Sequence, residues 1–169
     1  MSSVGIRVLD PGEARAFHAL RLRGVRSAPA FFRISVDEVE AESIEYWAAR
    51  LASPNNRVVG AYLDDRFVGI GGITRLDGTK LRHKALLWGM FVVPEAAGLG
   101  VGAQIVESLI GQARGFVESL HLTLAASNDR ALALYQRCGF GVFGREPQSI
   151  LQADGLHDEL LMWRPVGDK

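Results

Sequence analysis

The chain has 169 residues, and its composition, 48% hydrophobic and 22% charged, is typical of a globular protein. Nineteen Lys and Arg balance nineteen Asp and Glu, so no net charge favours nucleic acid or anionic lipid as a partner. The sequence has neither an apolar run long enough to cross a bilayer nor a signal-peptide pattern. The only cysteine, Cys138, excludes an intrachain disulfide. We therefore expect a soluble, cytoplasmic protein with one domain over residues 1–169 and no nucleic-acid or membrane partner.

The N-terminal part of the chain carries two helix-start signals. After an apolar strand at residues 6–9, Asp10-Pro11-Gly12-Glu13 combines a capping residue, a proline suited to the first turn and an acid three residues after the cap. Ser27-Ala28-Pro29 is predicted to end this helix. Ser35-Val36-Asp37-Glu38 repeats the start signal, and residues 39–51 form a second helical region in one or two pieces.

Strand patterns predominate after Arg57. Residues 58–63 and 67–76 are strand-like and flank the hairpin turn Asp64-Asp65-Arg66. Residues 85–93 are almost wholly apolar, as expected of a strand covered on both faces. The remaining predicted segments are a helix around 105–113, a strand at 120–126, a helix at 128–137 stopped by Gly139, and a hairpin of 140–151 and 157–163. This order predicts an α/β (α+β) fold with one mixed sheet flanked by helices, and parallel pairing where a helix joins two strands.

A glycine-rich stretch separates the apolar strand from the helix that follows it. This glycine turn reads Ala97-Gly98-Leu99-Gly100-Val101-Gly102-Ala103. Glycines let the backbone turn sharply, and the unpaired N–H groups of a helix start can hold phosphate oxygens. Two alternatives are a tight connection without a ligand and the dinucleotide fingerprint G-x-G-x-x-G/A. The fingerprint is disfavoured because other residues separate the turn from its strand and no acid ends the next strand.

A second pattern follows the strand at 120–126. Asn128, Ala131 and Tyr135 are spaced i, i+3 and i+7, so one helix face carries an amide and a phenol. With Gly139-Phe140 they form N-x-x-A-x-x-x-Y-x-x-x-G-F. Together with the glycine turn, this pattern resembles the acetyl-CoA motifs of the GNAT N-acetyltransferase family, with Ala97 in place of the family's Gln or Arg. The resemblance covers roughly residues 58–164 well and the N-terminal helices only loosely.

The resemblance implies a GNAT fold and a coenzyme site. The fold would be a mixed, mostly antiparallel sheet of about seven strands with about four helices, in which strands 85–93 and 120–126 splay apart. Acetyl-CoA would lie in the gap as a co-substrate, and no metal is expected. The implied coenzyme-binding residues are Phe91, Val92 and Val93 along the strand, Gly98, Leu99, Gly100, Val101, Gly102 and Ala103 at the turn, and Asn128 on the pantetheine arm. A main-chain N–H of Phe91 or Val92 would stabilise the oxyanion of the attacked thioester.

Tyr135 is the implied general acid, because a phenol can protonate a leaving thiolate. Without the resemblance, packing of its ring against the sheet is the alternative. The general base is unassigned, since residues 85–93 contain no carboxylate. The nearest acids are Glu95 and four glutamates of the second helical region, most of which are expected on a solvated face: Glu38, Glu40, Glu42 and Glu45. The histidines and Cys138 show no metal-ligand spacing.

The implied activity is transfer of an acetyl group to a primary amine by direct attack on the thioester in a ternary complex. The acceptor would be a small-molecule amine or a peptide amine. Two alternatives stay open: acetylation of a protein N-terminus or lysine, and a non-catalytic module that senses acyl-CoA. Asn128 and Tyr135 together favour catalysis over sensing. The identity of the acceptor is not encoded in a recognisable motif, and a homodimer is compatible with the sequence but predicted by no pattern in it.

Overall fold

A computed structural model describes residues 3–167, which form one seven-stranded sheet with five α-helices. The strands are β1 (Val4–Val8), β2 (Asn56–Leu63), β3 (Arg66–Arg75), β4 (Lys84–Val92), β5 (Ser119–Ala125), β6 (Gly141–Gln152) and β7 (Gly155–Pro165). The helices are α1 (Ala14–Ser27), α2 (Val36–Ala41), α3 (Ile44–Ala52), α4 (Val101–Ala113) and α5 (Asp129–Arg137). The strand order is β1-β2-β3-β4-β5-β7-β6, which confirms the mixed α/β sheet. None of these helices has the length and apolar character needed to cross a membrane.

Both predicted helix starts near the N-terminus are confirmed as capping boxes. The Asp10 carboxylate accepts from the Gly12 N–H at 2.8 Å, and the Glu13 carboxylate accepts from the Asp10 N–H at 2.9 Å. In the second box, the Ser35 hydroxyl accepts from the Glu38 N–H at 3.2 Å, and the Glu38 carboxylate accepts from the Ser35 N–H at 2.8 Å. The second helical region divides after α2, where Ser43 caps α3. This division gives five helices rather than about four.

The strand pairings are antiparallel except between β4 and β5. The β2–β3 hairpin turns at Asp64 and Asp65, whose φ angles of 48° and 63° are those of a two-residue turn. The prediction of parallel pairing where a helix joins two strands holds for β4 and β5 but not for β1 and β2. Their connection contains α1 and α3, which pack together and return the chain to the edge it left, so that β2 starts beside the end of β1.

Adjacent glycines on β3 mark the two faces of the sheet. A Cβ built on Gly72 would lie 2.6 Å from Trp88, and one built on Gly71 would lie 2.8 Å from Ile105 of α4. Because successive strand residues point to opposite faces, Trp88 and α4 lie on different sides. Trp88 packs with Trp47 of α3, at 5.7 Å between ring centroids, on the α1–α3 face. Helix α5 contacts α4, so these two helices cover the α4–α5 face.

Strands β4 and β5 pair at their first residues and then separate. The paired residues are Lys84–Ser119, Ala85–Leu120 and Leu86–His121. A bulge accompanies the separation, because Gly89 and Met90 of β4 together stand opposite Gly71 of β3. Gly89 has a φ of +68°, a backbone conformation that glycine adopts without a steric penalty. The predicted splay of the two central strands is therefore confirmed.

Candidate functional site

The splay leaves main-chain groups of β4 facing an open gap. The Val93 N–H donates to the Val68 carbonyl at 2.9 Å, and the Val93 carbonyl accepts from the Ala96 N–H at 3.0 Å. Because main-chain groups alternate in direction along an antiparallel pair, those of Val92 point away from β3 and towards β5. Val92 therefore offers both an N–H and a C=O to the gap. The Val93 N–H is engaged by β3, and the Val93 carbonyl already accepts one hydrogen bond, so the pairing of Val93 with a coenzyme stays a prediction.

Phe91 has a structural part beside the same gap. It pairs with Ile70, and the alternation directs its main-chain groups towards β3. Of the two N–H groups predicted to face a thioester carbonyl, the one on Val92 is thus directed at the gap. A Cβ built on Gly24 of α1 would lie 2.8 Å from the Phe91 ring, so the ring sets the distance between α1 and the sheet.

The glycine turn lies on the surface at the start of α4. Gly98 and Gly100 have φ angles of +78° and +74°, and Gly100 is the N-cap of α4. Within residues 3–167, none of the N–H groups of residues 98–103 donates a hydrogen bond. Unpaired N–H groups and the positive end of a helix attract anions. The turn has the geometry to hold a diphosphate through its main chain.

The side chains of the turn contribute unequally. Leu99 is exposed, whereas Val101 is buried in the core and can offer only its N–H to a ligand. Gly102 has a packing function as well, because a Cβ there would lie 3.3 Å from the Cδ2 atom of Leu134 in α5. The absence of a side chain at Gly102 lets α5 approach the start of α4. The turn and α5 are therefore held close together.

Asn128 and Tyr135 lie at opposite ends of α5. The Asn128 side-chain oxygen accepts from the Ala131 N–H at 3.2 Å and so caps the helix. Its NH2 group makes no hydrogen bond to the residues that the structure describes. Tyr135 is 7% exposed, with its ring 5.8 Å from that of Phe140. Burial raises the pKa of the Tyr135 phenol well above its ordinary value, so the group keeps its proton. Packing of the ring and donation of a proton are thus compatible.

Most of the candidate base residues are paired on the surface. Glu38 belongs to the capping box of α2, Glu40 pairs with Arg26, and Glu95 pairs with Arg23 at 2.6 Å. Glu45 is exposed. Glu38, Glu40 and Glu45 therefore fit the solvated face expected of the second helical region, and Glu95, which lies after β4, is exposed as well.

Glu42 differs from the other candidates because its side chain is only 14% exposed. Its carboxylate accepts from the Arg21 Nε at 3.2 Å and from the Trp47 Nε1 at 2.8 Å. Both oxygens are engaged, since the Arg21 Nη2 approaches the second one at 3.5 Å. Together these hydrogen bonds tie the Glu42 carboxylate to α1 and α3.

A fully buried carboxylate, Glu159 of β7, was missed by sequence reasoning. It pairs in register with Ala125 at the end of β5 and is 3% exposed. Arg33 donates to it through Nε and Nη2 at 3.0 and 2.6 Å, and Ser149 donates through its hydroxyl. Burial by itself raises the pKa of the Glu159 carboxyl, but the hydrogen bonds from Arg33 and Ser149 outweigh it and hold that pKa below its usual range. Arg33 and Glu159 are 126 positions apart, so no local pattern predicts the pair.

A separate open cleft of about 850 Å³ lies near the start of β4 and the end of α4. Its lining includes Arg75, Arg82, His83 and Arg114, with Glu118 as an acidic neighbour. The glycine turn follows the other end of β4, so the cleft and the gap occupy opposite ends of the sheet.

The buried Cys138 thiol lies in neither the cleft nor the gap, and burial raises its pKa. Among residues 3–167, no three His, Cys, Asp or Glu side chains gather as metal ligands.

Comparison with known proteins places these features in context. Residues 25–140 match the model of the family described as "Acetyltransferase (GNAT) family". N-alpha-acetyltransferase RimI of Mycobacterium tuberculosis is 40% identical over 91 residues, which are 53% of this chain and 55% of that protein. The match thus spans about half the length of this relative.

Solved structures show the same fold over nearly the whole chain. An acetyltransferase of the GNAT family from Streptococcus pneumoniae superposes with a TM-score of 0.84 at 25% identity, covering 98% of this chain and 100% of that one. The putative acetyltransferase yncA from Salmonella typhimurium, solved with its cofactor acetyl-CoA, gives a TM-score of 0.82 at 18% identity and covers 99% and 96% of the two chains.

Proposed function

The chain belongs to the acetyltransferase (GNAT) family, and on that premise we propose that it transfers an acetyl group from acetyl-CoA to a primary amine. One observation carries the proposal. The free N–H groups of residues 98–103 lie a few residues after β4, the strand whose edge opens into the gap. A diphosphate bound at the turn would place the attached pantetheine arm along Val92. The NH2 group of Asn128 would then donate to that arm from α5.

The reaction proposed is direct attack of the amine nitrogen on the thioester carbonyl carbon in a ternary complex. The N–H of Val92 would stabilise the negative charge on the carbonyl oxygen. As the C–N bond forms, the C–S bond breaks and the sulfur leaves as a thiolate. The phenol of Tyr135, which burial keeps neutral, would donate a hydrogen bond to the leaving sulfur and pass its proton to it, and the phenolate would then regain a proton from water. The proton lost by the amine passes to water.

A peptide or amino-acid α-amine is a second, narrower candidate acceptor. The relative at 40% identity is named for N-alpha-acetylation. The chemistry of the site also favours an α-amine, because the half-buried Glu42 and the buried Glu159 each already hold a guanidinium group. An α-amine, with a pKa of about 8, is neutral far more often near neutral pH than a lysine amine of about 10.4. An acceptor of low pKa therefore depends least on a protein base.

Two measurements test the proposal. Calorimetric titration of the folded protein with coenzyme A should release heat, and coenzyme A should raise the midpoint temperature of thermal unfolding. A thiol-release screen with acetyl-CoA across small amines and short peptides should then find turnover. A folded protein without heat or thermal shift would contradict the coenzyme site. Binding without turnover of any amine would instead support the sensor hypothesis.

A further inference from the structure

A guanidinium group is fixed beside the bulge of β4. Arg21 of α1 has a side chain only 11% exposed, and its Nε and Nη2 both face the Glu42 carboxylate. Its Cζ atom lies 5.0 Å from the centre of the Trp47 ring and 6.0 Å from that of Trp88. These contacts leave the guanidinium little freedom. A Cβ built on Gly89 would lie 3.7 Å from the Nη1 atom, so this nitrogen is directed at the bulge.

The Nη1 atom is available to a ligand. It makes no hydrogen bond to residues 3–167, although Nε and Nη2 of the same side chain do. The Nη1 atom is also not fully buried. Among residues 3–167, the Nε of Arg50 is the one fully buried side-chain nitrogen or oxygen that lacks a hydrogen-bond partner. Glu42, Trp47 and Trp88 thus hold Arg21 so that it presents one free donor to the gap.

The position of this donor matches the path of an acceptor. Tyr135, Asn128 and the glycine turn occupy the α4–α5 face of the gap, because α5 and the start of α4 pack together there. A thioester beside Val92 is therefore open to attack from the α1–α3 face. Gly89 lies three residues before Val92 on the same strand, and Arg21 approaches it from α1.

Resting on the proposed function, we propose that Arg21 is a binding residue for the acceptor and selects amines that carry an oxygen near the reacting nitrogen. Its Nη1 would donate to a carbonyl or carboxylate oxygen. An α-amino compound carries such an oxygen on the carbon next to the one that bears its amine. The positive charge also favours the neutral, nucleophilic form of the amine. A polyamine or simple alkylamine would meet the same charge without gaining the hydrogen bond.

The test compares amines that differ in that oxygen. Thiol release is measured with glycinamide and with propylamine, and kcat/KM is expressed per neutral amine. The wild type should prefer glycinamide. Arg21→Met should lower kcat/KM for glycinamide roughly 10- to 100-fold, mainly through KM, as expected for loss of a charged hydrogen bond, and should leave propylamine nearly unchanged. Free glycine and glycylglycine, as further arms, distinguish an amino acid from a peptide as the source of the oxygen.

Two further variants keep the test decisive. Arg50→Met removes the other guanidinium that lies over Trp47 and Trp88, at 5.1 and 5.2 Å, and should leave the glycinamide preference intact. Arg21→Lys retains the charge, so if Arg21→Met fails to fold, the lysine variant should still lose part of the preference. Retention of coenzyme A binding verifies folding in each case.

The outcomes separate the two proposals. Equal loss for both amines in the Arg21 variants, or no loss for either, would overturn the assignment of Arg21 alone. No thiol release by the wild type with any amine would overturn the proposed function, and this assignment with it.

Discussion

The two faces of the gap offer hydrogen-bond donors of different kinds. On the α4–α5 face, the glycine turn offers main-chain N–H groups, and Gly98, Gly100 and Gly102 carry no side chain that could cover them. On the α1–α3 face, the donor is a side chain, Arg21, held in place by Glu42 and two tryptophans. A main-chain site needs only the right local backbone. A side-chain site needs partners from several elements, so its specificity depends on packing across the whole face.

Tyr135 should give the largest effect, because it is the one side chain on the α4–α5 face proposed to take part in the chemistry. Tyr135→Phe removes the proton donor and should lower kcat by about 100-fold or more, with coenzyme A affinity nearly unchanged. Stopped-flow or steady-state thiol release measures kcat, and calorimetry measures the affinity. In the wild type, kcat should not fall as the pH approaches about 10, the ordinary pKa of a phenol, since burial raises the pKa of Tyr135.

The exposed Tyr46 of α3 provides the matched control, because Tyr46→Phe removes a hydroxyl outside the gap. Equal turnover in the Tyr135→Phe variant and the wild type would remove Tyr135 from the mechanism.

Gly100 tests the main-chain site directly. Valine at this position would have to adopt a φ near +74°, which costs about 1–2 kcal/mol, and would crowd the N–H groups of the turn. Gly100→Val should weaken coenzyme A binding roughly 10- to 100-fold, a range that adds steric crowding to that strain. Isothermal titration checks the change.

Gly111 of the same helix is the control for Gly100. A Cβ there has open space and its φ is not positive, so Gly111→Ala should keep the affinity and add about 0.5–1 kcal/mol of stability. Unchanged affinity in the Gly100→Val variant would show that the turn does not grip the coenzyme.

Glu159 tests how much one buried carboxylate stabilises the fold. Glu159→Gln should lower the free energy of unfolding by about 1–3 kcal/mol near neutral pH, because Arg33 and Ser149 lose a charged acceptor. The pKa of Glu159 in the folded protein lies below its ordinary value of 4.5, so its stabilisation is present above that pH and is lost as the pH falls through the folded pKa.

Chemical denaturation between neutral and acidic pH should therefore show the two proteins converging on acidification. Glu146→Gln is the control, since Glu146 is 54% exposed and 4.0 Å from Arg33. A difference between the Glu159→Gln variant and the wild type that stays constant with pH would contradict the assigned pKa direction.

The smallest effect is expected at Glu95. Its own backbone and the hydrogen bond from Arg23 lower the pKa of this exposed carboxyl, which makes it a poor proton acceptor. Glu95→Gln should leave kcat and its pH profile unchanged, as measured by thiol release from pH 6 to 9. A fall in kcat with a shifted acidic limb would instead identify Glu95 as the missing base.

The sequence predicts best what is local. The capping residues Asp10 and Ser35, the Asp64-Asp65 hairpin turn and the glycine turn each follow from a few neighbouring residues, and the structure has them where they were predicted. The splay was implied by family resemblance rather than by the residues alone. The antiparallel pairing of β1 and β2 was not anticipated, because it depends on how α1 and α3 pack.

The side-chain part of the site was harder to predict than the fold. Arg21 and Glu42 are 21 positions apart, and Arg33 and Glu159 are 126 apart. The residues next to them in the sequence do not distinguish these four from the other charged residues of the chain. Their significance comes from burial and from partners in distant elements, which only the folded chain brings together.

The three-residue pairing of β4 with β5 has a consequence for how this protein can change over evolutionary time. On the proposed function, a coenzyme in the gap would complete the sheet as a surrogate strand and contact peptide groups, which every residue except proline supplies in full. Side-chain substitutions along that edge and at the adjoining turn, such as Ala97 in place of a longer polar residue, would then be tolerated without abolishing recognition. The opposite wall is made of side chains and can be remodelled for another acceptor while the shared cofactor keeps its place.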